Sequence, residues 1–153
     1  VVVYTTPPLE RDQEVTGPVV VKLWAASSAP DTDFTAKLVD VYPPSEDFPE
    51  GYALNLTDGI LRVKFRDSWE RTELMEPGKV YQIELGLLPI SNLFVKGHRI
   101  RLDISSSNFP RFDVNGNTGE NPGTSPVRIT ALNSVYHDET RPSHILLPVI
   151  PAD

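Results

Sequence analysis

Gly97-His98-Arg99-Ile100-Arg101-Leu102-Asp103-Ile104-Ser105-Ser106-Ser107-Asn108-Phe109-Pro110-Arg111-Phe112-Asp113 is the stretch on which the reading of the fold turns. Its first half alternates, with Ile100, Leu102 and Ile104 on one face and Arg99, Arg101 and Asp103 on the other. A period of two with β-branched residues is a strand with one buried face. The strand then runs into polar serines and an aromatic-proline-basic-aromatic turn. It therefore delivers two aromatic rings to a loop, where a rigid scaffold places binding groups. Proline fixes its own φ and restricts Phe109, which stiffens this loop; an aromatic before proline raises the chance of a cis bond, with trans still the expected state. Two roles stand open for Phe109 and Phe112: lining a cleft, or plugging the end of the core.

The same alternation recurs on both sides of this run. Residues 19–26 place Val19, Val21, Leu23 and Ala25 on one face, and residues 33–41 keep Phe34, Ala36 and Leu38 in phase. Residues 60–66 set Leu61, Val63 and Phe65 against Arg62, Lys64 and Arg66, and residues 80–85 group Tyr81, Ile83 and Leu85. Further strands are predicted at residues 1–4, 52–56, 98–106, 127–136 and 144–149. Asp58-Gly59 has the chemistry of a hairpin turn between two of them. Helical periodicity is confined to a turn or two at residues 68–75, stopped by Pro77-Gly78. Asn115-Gly116 and Asn117-Thr118-Gly119 mark a loop that continues through Asn121-Pro122-Gly123. About nine short strands with turn signals between them predict an all-β, two-sheet antiparallel sandwich.

The 153 residues suffice for one domain with its own core. Hydrophobic content of 39% with 23% charged is that of an ordinary globular chain, and 15 prolines suit many turns. A net charge of −7 disfavours nucleic acid and anionic membranes as partners, since both demand a basic footprint. No apolar run reaches the length of a membrane span. With no cysteine there is no disulfide and no thiolate chemistry, and the compartment stays open. The Asn55-Leu56-Thr57 triplet fits a glycosylation acceptor but is common by chance. A start at Val1, without an initiator methionine, leads us to expect residues 1–153 to be a domain of something larger.

Catalytic candidates are few. There is no Gly-x-Ser-x-Gly, the strained elbow that exposes a serine nucleophile, and Ser105-Ser106-Ser107 lies in a β context without flanking glycines. His98, His137 and His144 lack metal-ligand spacing, so no metal or cofactor is expected. His98 is read as a hydrogen-bonded structural residue, with an interface or cleft role as the alternative. Asp31, Asp33 and Asp40 lack the density of a calcium loop, and turn capping and backbone hydrogen bonding explain Asp31 and Asp33 more simply. Arg62, Lys64 and Arg66 form a basic stripe on one predicted strand face. It is either a solvated face paired with nearby carboxylates or a docking face for an acidic neighbour. Trp24 is placed in the sheet packing, whereas Trp69 is the better candidate for an exposed contact.

Six segments follow one another along the chain: Tyr4-Thr5-Thr6-Pro7-Pro8-Leu9, Glu14-Val15-Thr16-Gly17-Pro18, the run from Asp31 to Val41, the run from Gly59 to Ser68, the opening stretch at 97–113, and Pro142-Ser143-His144-Ile145-Leu146-Leu147-Pro148-Val149. In that order they resemble the C-terminal β domain of the X-Pro dipeptidyl-peptidase and cocaine esterase family of serine hydrolases. α-Amino acid ester hydrolases and glutaryl acylases share the likeness. The resemblance sharpens the sandwich to a jelly roll of the galactose-binding-like kind. It implies a non-catalytic accessory domain, with the serine, histidine and aspartate of the triad upstream in an α/β-hydrolase domain of the same polypeptide. Asn108, Phe109, Pro110, Arg111, Phe112, Trp69 and His98 are then the candidates for a substrate cleft or a domain interface. A free-standing carbohydrate-binding module and an oligomerisation domain are the competing readings.

Overall fold

The computed structural model describes residues 1–121 and 125–151. Pro122 and Gly123 of the predicted loop therefore lie outside the described residues. Two antiparallel sheets face each other. One has the order β1 (Val2–Thr5), β6 (Arg99–Ser105), β3 (Asp33–Tyr42), β4 (Tyr52–Arg62). The other has β5 (Tyr81–Phe94) and β2 (Gln13–Ser27) followed by β7 (Asn133–Asp138) and β8 (Arg141–Pro142). The last strand, β9 (His144–Leu146), continues along the β2 edge that β7 occupies further up. The chain changes sheet between β1 and β2, β2 and β3, β4 and β5, β5 and β6, and β6 and β7, the winding of a jelly roll.

Alternation does the packing. Val15, Val19, Val21, Leu23 and Ala25 of β2 and Ile83, Leu85, Leu87 and Phe94 of β5 point inward from one sheet. Phe34, Ala36 and Leu38 of β3, Leu61 of β4 and Leu102 and Ile104 of β6 meet them from the other. Between Gly17 and Val19 the β2–β5 register slips, and Gly17 takes φ 136° with a Pro148 carbon 3.0 Å from where a Cβ would stand. Only glycine meets both demands. The slip also lets β5 carry Pro89, on a strand whose other edge is unpaired.

The predicted hairpin at Asp58-Gly59 does not exist. One strand, β4, runs straight through it, pairing Lys37 with Asp58 and Ala36 with Gly59. The glycine serves a close approach instead: its absent Cβ would fall 2.7 Å from Leu87 Cδ2 and 2.9 Å from the Gly86 carbonyl oxygen. Here β4 and β5, the edges of opposite sheets, close one side of the sandwich, and Thr57 Oγ1 donates to the Leu88 carbonyl at 3.1 Å across the seam.

The strand predicted for residues 60–66 also stops early, at Arg62, and a 3-10 turn, Val63–Phe65, follows. Residues 68–75 form no helix. The Ser68 hydroxyl takes the N–H groups of Glu70 and Arg71, and the Glu73 N–H goes to the Lys64 carbonyl, so local hydrogen bonds outcompete a helical ladder. The strand predicted from residue 127 begins only at Asn133, because the Ile129 N–H bonds to the Gly116 carbonyl in the preceding loop.

Candidate functional site

Strand direction sorts the loops into two ends. Residues 28–32, 63–80 and 106–132 gather at one, and residues 6–12, 43–51 and 95–98 at the other. At the first end the loop after β6 folds back over the outer face of the β1–β6–β3–β4 sheet, and three carboxylates hold it there. Asp58 accepts the Asn108 side-chain amide at 2.8 Å and pairs with the Arg111 guanidinium at 3.1 Å. Asn115 then donates to Asp33 at 2.7 Å and to Asp31 at 3.1 Å. Asp33 binds Arg62 through two hydrogen bonds of 3.0 Å, the planar fork that guanidinium and carboxylate make best. Asp31 accepts the Lys64 backbone N–H at 3.0 Å. Burial pushes the Asp31 carboxyl above its ordinary range, against the pull of those two hydrogen bonds.

The basic stripe predicted for Arg62, Lys64 and Arg66 is thereby dismantled. The buried Lys64 ammonium donates to the carbonyls of Gly119 and Glu120 at 2.9 and 3.2 Å and to the Asn121 side chain at 3.2 Å. Arg66 turns away to Glu73 and covers the Tyr81 ring at 4.5 Å. The three cations anchor loops and present no common face. The 3-10 turn destroys the strand alternation on which that face depended.

What the clamped loop presents is Phe109, 68% exposed. Its bond to Pro110 is cis, not trans as expected. Phe112 is half-buried under the Arg111 guanidinium, 5.6 Å from the ring centroid. Core plugging therefore does not describe Phe109. Trp69, 76% exposed, stacks on Phe65 with centroids 6.2 Å apart. Leu74, Val127, Ile129 and Leu132, from the same set of loops, are exposed as well. Large apolar groups gathered at one end of a sandwich have the character of a contact surface.

His98 stands apart from these, at the opposite end. Its Nδ1 lies 2.9 Å from the fully buried Asp40 carboxylate, whose second oxygen receives Asn92 at 3.4 Å from the other sheet. The Tyr42 ring lies 4.2 Å from the imidazole, and Tyr42, Tyr52 and Phe48 continue as a chain of ring contacts at 6.1 and 5.2 Å. That aromatic group escaped the sequence reading, because Tyr42 and Tyr52 become neighbours only through the β3–β4 register. Asp58 escaped it too, since Asp-Gly reads as a turn.

The two remaining histidines line one cavity on the open side of the sandwich, opposite the β4–β5 seam. This cavity of 340 Å³ is lined by Tyr4, Leu23, Ile100, Leu102, His137 and His144, among others. Tyr4 and His137 touch edge-on at 5.6 Å, and burial raises the Tyr4 hydroxyl pKa. Neighbouring Ser143 donates to the Tyr136 carbonyl and accepts the Trp24 N–H, so its hydroxyl is engaged structurally. Trp24 itself is half-buried on the outer face of β2. Ser106 and Ser107 accept from Asn133 and the Phe109 N–H, and neither is hydrogen-bonded to a histidine.

Comparison with known proteins agrees with this geometry. The family model of the X-Pro dipeptidyl-peptidase C-terminal non-catalytic domain matches residues 1–146. The cocaine esterase of Rhodococcus sp. (strain MB1 Bresler) is 44% identical over 98% of this chain and 25% of its own length. An aminopeptidase from a marine sediment Thaumarchaeota archaeon superposes with a TM-score of 0.91 at 30% identity, covering 98% of this chain and 26% of that one. A selenomethionine-labelled α-amino acid ester hydrolase does so with a TM-score of 0.91 at 31% identity, covering 97% and 25%. The chain thus spans about a quarter of the length of these relatives.

Proposed function

Because the chain belongs to the X-Pro dipeptidyl-peptidase C-terminal non-catalytic domain family, we propose that residues 1–153 form one accessory domain of a serine hydrolase. In this reading the domain packs on an α/β-hydrolase core of the same polypeptide and forms one wall of the substrate cleft. The core supplies the nucleophile, base and oxyanion hole for acyl transfer from a peptide, amide or ester bond. The observation that carries this is the exposure of Trp69, Leu74, Phe109, Val127, Ile129 and Leu132 on loops of one end. A domain surface of this composition is buried in its working context. Phe109 is the cleft-wall candidate, since its loop is stiffened by Pro110 and clamped through Asp58, leaving little ordering entropy to lose on binding. His98, at the other end, takes no part in this wall.

The test is made in a full-length hydrolase carrying this domain. Trp69→Ser with Leu132→Ser is expected to split a single cooperative melting transition into two, as the domain undocks. Phe109→Ala is expected to change KM or the preference among acyl substrates. Unaltered melting in the first variant together with unaltered kinetics in the second would overturn the proposal.

A further inference from the structure

The end of the sandwich opposite the proposed core contact has a different chemistry. Tyr42, Phe48 and Tyr52 are 36%, 51% and 46% exposed and form the continuous ring chain described above. The turn that carries Phe48 is internally tied. Its N–H bonds to Ser45 Oγ at 3.1 Å, and its carbonyl takes the N–H groups of Ser45 and Gly51, each at 2.9 Å. Pro43, Pro44 and Pro49 restrict it further, so the rings are held before a partner arrives.

Two further features say what such a face takes. The first is charge. The turn holds Glu46, Asp47 and Glu50, all exposed, and Glu10 and Asp12 stand in the neighbouring loop at the same end, where they outnumber the exposed cations Arg11 and Lys96. Among the described residues no cation is paired with Glu46, Asp47 or Glu50. Among the described residues, cations lie over the rings of Phe65, Tyr81, Phe112 and Tyr136 and none over those of Tyr42, Phe48 and Tyr52. The second is His98, 8% exposed and lying against Tyr42. Its Nδ1 is held by Asp40, and no described residue is hydrogen-bonded to its Nε2.

We propose that this end is a docking site for an arginine-bearing segment of a partner protein. Aromatic faces and exposed carboxylates are together the complement of a guanidinium. A planar cation stacks on the rings while its N–H groups reach the carboxylates. A lysine ammonium satisfies the carboxylates but lacks the planar fork, so arginine is preferred. A second copy of this chain is a poor occupant, because it would bring an acidic surface to an acidic one. The site is independent of the hydrolase reading, since none of its residues belongs to the long-loop end.

The probe is an acetylated, amidated peptide with two arginines separated by glycine. It is titrated into the 153-residue chain at low salt and followed by amide and histidine-ring NMR shifts. The largest shifts are expected across residues 42–52 and on the His98 ring. The lysine peptide should bind several-fold more weakly, and the uncharged citrulline peptide should not bind. Phe48→Ala with Tyr52→Ala leaves net charge unchanged and should weaken binding by about tenfold. Neutralising Glu46, Asp47 and Glu50 to their amides should do the same, whereas neutralising Glu70, Glu120 and Glu139 should change it by less than about twofold. Equal binding of arginine and lysine peptides with no effect of the aromatic variant would reduce the site to the general attraction of an acidic protein for a base. Shifts centred elsewhere, or no saturable binding, would equally overturn the proposal.

Discussion

At the scale of single residues, two aspartates respond to their surroundings in opposite directions. Burial raises the Asp31 pKa. In the exposed β7–β8 turn, hydrogen bonds from Arg141 and then Thr140 hold Asp138 down at about 2. The folded state therefore binds a proton at Asp31 more readily than the unfolded chain does. Its contribution to stability is fully present below the ordinary aspartate value of 3.8 and is lost as pH rises through the raised folded pKa. Asp138 contributes stability above 3.8, lost as pH falls toward about 2, and as an exposed pair it is screened by salt. Carboxyl carbon NMR shifts should place Asp31 as the later of the two to lose its proton as pH rises, its midpoint above the ordinary aspartate value. A midpoint at or below that value would show Asp31 to be better solvated than its burial implies. Phenylalanines divide similarly. Phe34→Ala, at a 1% exposed core position, should cost roughly 3–5 kcal/mol in chemical denaturation. Phe109→Ala should fall within about 0.5 kcal/mol of the parent.

At the scale of elements, the β4–β5 seam and the clamped loop are the two constructions to perturb. Adding a methyl at Gly59 drives a Cβ into a backbone carbonyl as well as into a leucine side chain, and the carbonyl cannot rotate away. Gly59→Ala should therefore cost about 1–3 kcal/mol. Gly86→Ala, with nothing within 4 Å of its Cβ, should change stability by less than about 0.5 kcal/mol. Parallel urea titrations decide this, and equal effects at the two positions would refute the seam. In the loop, Asp58→Ala removes the acceptor shared by Asn108 and Arg111, at a cost of about 1–3 kcal/mol. Amide exchange should accelerate across residues 106–112 but not across β3 and β4. Uniform acceleration would mean that Asp58 supports the sheet and not the loop.

At the scale of the whole molecule, the jelly-roll winding sends the two longest connections, residues 63–80 and 106–132, to one end, and the two ends differ in kind. One sets exposed apolar side chains among paired cations and carboxylates, and the other sets aromatic rings beside the exposed carboxylates of residues 46–50. An accessory domain with two unlike ends is suited to joining a catalytic core on one side and a charged partner on the other. The isolated chain should accordingly bind an environment-sensitive hydrophobic dye while still folded, and Trp69→Ser with Leu132→Ser should weaken that signal markedly. Dye binding unchanged in the double variant would place the apolar surface elsewhere, with the cavity between β1 and β9 the next candidate.

Alternation by itself determined the sandwich, because each inward face is written locally at every second residue from Val19 to Ala25 or from Ile100 to Ile104. The exposure of Trp69 and the loop following β6 were legible for the same reason, since a strand that runs out of alternation must leave the sheet. Tertiary structure alone decided what Gly59, Lys64 and Asp58 do. Gly59 reads locally as a turn and proves to be a contact between sheets, and Lys64 reads as a solvated strand residue and proves to be a buried loop anchor. The separation of His98 from Phe109, only 11 positions away, was likewise settled by the fold. Strand β6 carries them to opposite ends of the sandwich, and its rise of about 3.3 Å per residue outweighs their nearness in sequence.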